Sequence, residues 1–477
     1  MKKSQKVFGA TLLVIGALLA AGCSAQSNST ATTGAGVLDA SFGTANDGTA
    51  NGVVDTSVGA GNDKATDVAV QADGKIIAVG EHVDGSSTNV VLARYNVDGS
   101  LDDSFGSAND GTPNGLVNTS LGNGDDHARS VALQSDGKIV VTGDHVEGSS
   151  TNIFVARYNV DGSLDDSFGT ANDGTANGVV NISLGNGDDT ATSVALQSDG
   201  KIVVAGYHVN GASTDVIVAR LSADGSLDES FGTATDSTPN GITNTSIGDG
   251  NDQARDLVIA ADGKIVVAGT HVGVDGSSDI AVLRYNTDGS LDESFGTSND
   301  GTANGIVDQS LGSGDDVACG IALQSDGKIV VVGNHSADSS NDIAVIRFNT
   351  DGSLDDSFGT ATDNTPNGVV NTSLGAGDDF ACGLAIAADG KILVGGYHQD
   401  GDSTNVAVLR FATDGSLDPT FGVAVDGTQN GVVNTSIGDG NDVASAIALQ
   451  TDGKLLVAGY HANGDSTDII VLRYLTK

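Results

Sequence analysis

Residues 128–141 read Ala-Arg-Ser-Val-Ala-Leu-Gln-Ser-Asp-Gly-Lys-Ile-Val-Val: two short apolar runs flanking an Asp-Gly pair. Asp-Gly between apolar runs is the strongest short-range signal for a two-residue β-hairpin turn of type I′, because glycine accepts positive φ without cost. The reading is therefore strand Ala128 to Gln134, turn, strand Ile139 to His145. A third strand follows at Thr151 to Tyr158, and a further alternating run, Gly115 to Leu121, precedes the hairpin. Four short strands with no helical period make the unit all-β.

The unit recurs. A Leu-Asp-x-Ser/Thr-Phe-Gly head begins at Leu38, Leu101, Leu164, Leu227, Leu291, Leu354 and Leu417, spaced 63, 63, 63, 64, 63 and 63 residues. Four-stranded units of this length, seven in tandem, bury both faces only by packing radially, which predicts a seven-bladed β-propeller over residues 37–477. Let the Asp-Gly hairpin join strands A and B, the innermost pair, with the Arg-Tyr strand as C. The Gly-Val-Val run is then D. The repeats begin with a D-type run (Gly52 to Val58) and finish on a C-type run (Asp468 to Tyr474), so the first strand is expected to complete the last blade and close the ring.

The runs Ala128 to Val141 and Ala-Arg-Tyr-Asn-Val-Asp-Gly-Ser-Leu-Asp-Asp-Ser-Phe-Gly (Ala156 to Gly169) resemble the bacterial delta-60 repeat, a β-propeller family of uncharacterised function. The resemblance covers residues 38–477 and implies the propeller fold and export; it implies no reaction. This chain departs from that pattern in a longer insert after Phe-Gly, as at residues 170–178.

Residues 1–22 read as a lipoprotein signal peptide. Lys2, Lys3 and Lys6 precede an apolar stretch from Val7 to Ala21, and Leu19-Ala20-Ala21-Gly22-Cys23 resembles a lipoprotein box. That resemblance makes Cys23 the lipidated first residue of the mature chain, with Ser24 after it directing the protein to the outer membrane. Residues 23–36, rich in Ser, Thr, Ala and Asn, read as a flexible tether. The expectation is a cell-envelope protein held to the membrane by its N-terminal lipid alone.

Asp and Glu number 62 against 21 Lys and Arg, a formal charge of −41, which excludes nucleic acid as a partner. With 4% aromatic residues and no Trp, the core must be aliphatic. Cys319 and Cys382 hold the same position in consecutive repeats and read as two free, small, buried thiols, since equivalent positions on neighbouring blades are poorly placed for a disulfide.

Aligned as columns, the copies separate scaffold from candidate site. Asp63, Asp126, Asp189, Asp252, Asp316, Asp379 and Asp442 start strand A; His82, His145, His208, His271, His335, His398 and His461 recur on strand B. With a two-residue turn, His82 would lie opposite Ala65, within reach of Asp63. These pairs read as a structural brace used once per blade, because a catalytic base needs one asymmetric place and sevenfold repetition provides none. The Arg column (Arg94 through Arg473) and the Lys column (Lys75 through Lys454) are expected to pin the Leu-Asp-x-Ser-Phe-Gly loop, with its Phe as a plug. The insert carries Asp47, Asp110, Asp173, Asp236, Asp300, Asp363 and Asp426, weak calcium candidates whose spacing fits Asx-turns as well.

Two columns vary. After each strand-A Asp come Lys64, His127, Thr190, Gln253, Val317, Phe380 and Val443; two residues on come Thr66, Arg129, Thr192, Arg255, Cys319, Cys382 and Ser445. If strand A lines the channel, the mouth is polar and cationic over four blades and apolar over three, and Lys64, His127, Arg129 and Arg255 are the candidate ligand contacts. The leading reading is a non-enzymatic, surface-anchored scaffold that binds a protein, glycan or small ligand there, with no required cofactor. The alternatives are an adhesion or envelope component stiffened by calcium, and a hydrolase or lyase using a mouth His.

Overall fold

The Gln134–Lys138 turn sets the geometry of its blade. Gln134 N donates to Lys138 O and Gly137 N to Gln134 O, both at 2.9 Å, so Ser135 and Asp136 are the central turn residues and Gly137 follows at φ 87°. This is a three-residue loop with glycine in the left-handed position, not the two-residue type I′ turn expected. The computed structural model describes residues 34–43, 51–106, 114–169, 177–185, 187–232, 241–273, 276–296, 304–337, 340–359, 368–422 and 430–477.

Within them the chain forms seven four-stranded antiparallel sheets arranged as a seven-bladed propeller. Blade two is typical: Asp126–Leu133 (A), Ile139–Glu147 (B), Ser150–Tyr158 (C) and Val179–Ile182 (D). Blades one to six run 63–119, 126–182, 189–245, 252–309, 316–372 and 379–435, and blade seven takes its A, B and C strands from 442–474. Its fourth strand is Val53–Thr56, paired antiparallel to Ser466–Tyr474 with Val53 opposite Leu472. The head loop joins the closure: Asp39 N donates to Arg473 O at 2.7 Å, and Gly36 N to Leu475 O at 2.6 Å. Ala35 is buried there, so the last residues read as tether pack against blade seven.

Burial explains the ring. Each apolar cluster lies between two blades, as where Ile77, Val79, Val90, Leu92 and Phe105 of blade one meet Val131, Ile139 and Phe154 of blade two. Each such side chain contributes about 1.5–3 kcal/mol on full burial. Blades seven and one share a cluster of the same kind, built from Ala65, Ile76 and Val91 against Leu456, Ile469 and Val471. Seven such clusters, one at each blade junction, run round the ring.

Strand A carries one β-bulge in every blade. In blade one the register is Val70 opposite Ile76 and Asp67 opposite Val79, then Ala65 opposite Gly80 and Asp63 opposite His82. Thr66 has no partner in the ladder. The three-residue turn and the bulge each move the register by one, so His82 faces Asp63 and not Ala65 as expected. Gly80 permits the close approach, because a Cβ there would sit 1.8 Å from Lys64 O.

Candidate functional site

The Asp and His columns meet in all seven blades. His82 Nδ1 lies 2.5 Å from Asp63 Oδ1, and the same pairing joins His145–Asp126, His208–Asp189, His271–Asp252, His335–Asp316, His398–Asp379 and His461–Asp442. The second carboxylate oxygen accepts the backbone N–H of the incoming loop, Val58 N to Asp63 at 2.7 Å and Leu121 N to Asp126 at 2.7 Å. One side chain thus ties the D–A loop to the A–B hairpin. Burial pushes the Asp189, Asp316 and Asp442 carboxyls up against the pull of those bonds. The opposite face repeats in the same way. There Asp165 accepts from Arg157 Nε and Lys138 Nζ at 2.7 Å, Arg157 lies over the Phe168 ring at 4.4 Å, and its Nη1 donates to Ala223 O of the next blade.

The bulge explains the variable columns. Its unpaired residue in the seven blades is Thr66, Arg129, Thr192, Arg255, Cys319, Cys382 and Ser445 in turn. A bulge releases a residue from the ladder and re-aims its side chain. In two blades that freedom serves structure: Thr66 donates to Ala128 O at 2.9 Å and Thr192 to Ala254 O at 3.1 Å, each linking to the following blade. Arg129 and Arg255 are exposed, and Cys319 and Cys382 are free and half-buried, more open than expected.

The register also brings in a third variable column that sequence reasoning did not identify: the strand-B residue before each His. Glu81, Asp144, Tyr207, Thr270, Asn334, Tyr397 and Tyr460 stand opposite the first variable column. The signal was available, since these positions vary beside an invariant His. They correct the cationic reading of the first blades. His127 Nδ1 is 3.0 Å from Glu81 Oε1, and Arg129 Nε is 2.8 Å from Asp144 Oδ1. The Glu81 bond holds the His127 imidazolium form above its ordinary range. Burial opposes ionisation of Glu81, but the His127 bond and the Arg129 and Lys64 charges outweigh it and hold that carboxyl below the usual value. Blades one and two therefore present paired charges. Arg255 makes no ion pair among the described residues; its Nη2 donates to Gln253 Oε1 at 3.0 Å. Lys64 Nζ lies 5.0 Å from the Tyr460 ring centroid, and the Phe380 and Tyr397 rings are 5.0 Å apart.

Below the mouth, the next strand-A position holds Asp67, Ser130, Ser193, Asp256, Gly320, Gly383 and Ala446. Asp67 accepts from Val131 N at 2.8 Å, Val68 N at 2.7 Å and Ser130 Oγ at 3.0 Å. Asp256 accepts from Ser193 Oγ at 2.8 Å and Ile321 N at 3.0 Å. Burial pushes Asp67 up to about 6 and raises Asp256 as well.

Cys23 and the insert aspartates Asp47, Asp110, Asp173, Asp236, Asp300, Asp363 and Asp426 lie outside the described residues. Among the described residues no cluster of three metal-ligating side chains occurs, and no helix is long and apolar enough to cross a membrane.

Among solved structures, the polysaccharide lyase Uly1 is similar in fold at 10% identity and a TM-score of 0.51, covering 87% of this chain and 90% of that one. A protein from Lactobacillus plantarum is 18% identical at a TM-score of 0.45, covering 78% and 88%. An aldose sugar dehydrogenase from Escherichia coli in its apo form is 14% identical at 0.38, covering 74% and 97%. At these identities the likeness is one of fold alone. No curated protein matches the chain. The model of a β-propeller domain of unknown function (DUF5122) matches seven times, at residues 71–105, 134–168, 197–231, 260–295, 324–358, 387–421 and 450–476. Six matches run from an A–B turn through strands B and C to the Phe of the head loop, and the seventh from the last A–B turn through strands B and C; one falls in every blade, so the chain belongs to this uncharacterised family of β-propeller repeat proteins.

Proposed function

We propose that the protein is an exported, lipid-anchored propeller that binds a ligand at its channel mouth and is not an enzyme. One observation carries this reading: the blades repeat in their braces, pinned loops and core, and diverge where three variable columns converge at the start of strand A. Drift at tolerant positions would scatter residue types. Here the ion-paired groups gather on blades one and two, and the thiols and three of the four half-exposed aromatic rings on blades five to seven, with Tyr207 apart on blade three. A ring of positions with a polar arc and an apolar one suits a small amphipathic ligand or one end of a glycan or protein partner. The lipid anchor rests on the Leu19-to-Cys23 box.

A melting screen of the full chain against sugars, organic acids, nucleotides and peptides tests the binding reading. At least one compound class is expected to raise the wild-type midpoint and leave an Arg129→Ala/Arg255→Ala double variant unmoved. Hits that shift both proteins equally would remove the mouth from consideration. Fatty-acid labelling that persists in Cys23→Ala would remove the anchor.

A second reading, an adhesion or envelope component whose insert loops bind calcium, is supported by the Asp, Asn and Gly content of those loops.

A further inference from the structure

We infer that the ligand of this mouth is an acidic oligosaccharide, one whose pyranose faces lie on Tyr397 and Tyr460 and whose carboxylates meet Arg255 and Lys64. This rests on the mouth being the binding site.

The first observation is where the aromatic rings are. Among the described residues every Phe and Tyr is buried except Phe380, Tyr207, Tyr397 and Tyr460, which are half-exposed, and all four lie in the variable columns of the mouth. Tyr95, Tyr158, Tyr285 and Tyr474, by contrast, sit wholly inside the blades. Three of the four, Phe380, Tyr397 and Tyr460, lie on the adjacent blades six and seven, with Tyr207 apart on blade three; in a chain with 4% aromatic residues, that cluster has a use for its faces. The second observation is independent and concerns charge. Among the described residues two mouth cations make no ion pair, Arg255 on blade four and Lys64 on blade one, and the rings of blades six and seven lie between them round the propeller. Arg255 Nη2 donates to the neutral Gln253, and Lys64 rests over the Tyr460 ring. In a protein of net charge −41, two cations outside the ion pairs of one opening offer a local anion-attracting field, with Glu81, opposite Lys64, as the carboxylate on which the Lys64 charge acts.

The arrangement selects among anions. Blades two and three separate Arg255 from Lys64 on one side of the ring and blades five to seven on the other, so the cations do not converge on one phosphate; they suit two singly charged groups some distance apart. Between them lies half-exposed aromatic surface, which an inorganic anion or an extended polar chain would leave uncovered. A uronic acid oligomer supplies both features: flat C–H faces for the rings and a carboxylate on every sugar, which a guanidinium can take by two parallel N–H donors. Its hydroxyls suit the half-exposed Gln253 amide and tyrosine hydroxyls nearby.

Calorimetric titration of the full chain with oligogalacturonate and oligomannuronate at low salt is the test. Saturable binding is expected for at least one, weakened tenfold or more in Arg255→Ala, in Lys64→Ala and in Tyr397→Ala, and weakened by added salt. Circular dichroism of each variant confirms the fold, and Arg255→Gln serves as a milder substitution. The methyl-esterified oligomer should bind at least tenfold more weakly. Equal binding of the ester, or tighter binding of an acidic peptide through the same residues, would overturn the inference while leaving the mouth as a binding site. Absence of binding by both oligomers would overturn it too. If, in addition, no compound class tells the mouth variants from wild type, the binding reading falls with it.

Discussion

Asp63 faces His82 directly across the first hairpin, with Oδ1 2.5 Å from the ring Nδ1 and Oδ2 holding Val58 N at 2.7 Å. That one carboxylate is wholly buried and has two dependants, the imidazole and the loop amide. Asp63→Ala leaves both unpartnered inside the blade, and the expected loss is about 2–4 kcal/mol of unfolding free energy. Asp63→Asn keeps an acceptor for one of them and should cost about half as much. Denaturant titration of the two variants measures this, and an Ala variant within about 0.5 kcal/mol of wild type would show that the pair is no brace.

Asp67 gives the channel a pH dependence with a definite sign. Its folded carboxyl is pushed up to about 6 from an ordinary 3.8, so the folded chain keeps the proton after the unfolded chain has lost it. Stability is then unaffected by this group below about pH 4, falls as pH rises toward 6, and stays lower beyond, by about 1–3 kcal/mol at most. Asp67→Asn should match wild type at pH 4 and exceed it at pH 7. A difference that stays constant from pH 4 to 7 would contradict the burial account.

How much of this was legible beforehand depended on whether it repeats. The 63-residue period, the four strands and the closure of blade seven by the Val53 strand all follow from patterns stated seven times in the sequence. Single-residue geometry did not follow. The Asp-Gly pair marks a hairpin but does not tell a two-residue from a three-residue loop, and the bulge at Thr66 leaves no apolar gap because Ala65 and Thr66 are both small. Those two slips, one residue each, moved His82 from Ala65 to Asp63. The same slips hid the third mouth column. Only the correct register sets Asp144 opposite His127 and brings it to Arg129, and only blade-on-blade packing brings Glu81 to His127.

That last contact predicts a titration. Glu81 holds the His127 imidazolium above its ordinary range, so charge on His127 stabilises the fold at low pH and is lost as pH rises through the folded value. Glu81→Gln should lower the His127 titration midpoint, followed by NMR of the ring protons. An unchanged midpoint would mean that the two side chains do not meet in solution.

Calcium is a matter of the insert loops. If Asp47 and its six counterparts form only Asx-turns, EDTA followed by millimolar calcium leaves the melting midpoint where it was, and that is the expected result. A calcium-dependent rise of several degrees would turn those aspartates into ligands and favour a stiffened envelope component over a binding scaffold.

Closure of the ring is the most direct test of the architecture. Val53–Thr56 covers the Ile469–Leu472 edge of blade seven, while Asp39 takes Arg473 Nε at 2.9 Å and Lys454 Nζ at 3.1 Å. Removing residues 34–57 leaves that edge unpaired and a guanidinium that is 2% exposed without its carboxylate. An uncovered apolar strand edge recruits another strand, so the shortened protein should melt well below the full chain and self-associate on size exclusion. A synthetic peptide spanning residues 34–58, added in trans, should restore both the monomer and most of the lost midpoint, because it returns the strand and Asp39 together. A peptide carrying Asp39→Ala should restore less, since it brings the strand without the ion pair. Unchanged melting and a monomeric profile for the shortened chain would mean that the ring is held by blade packing alone and that the strand exchange adds nothing.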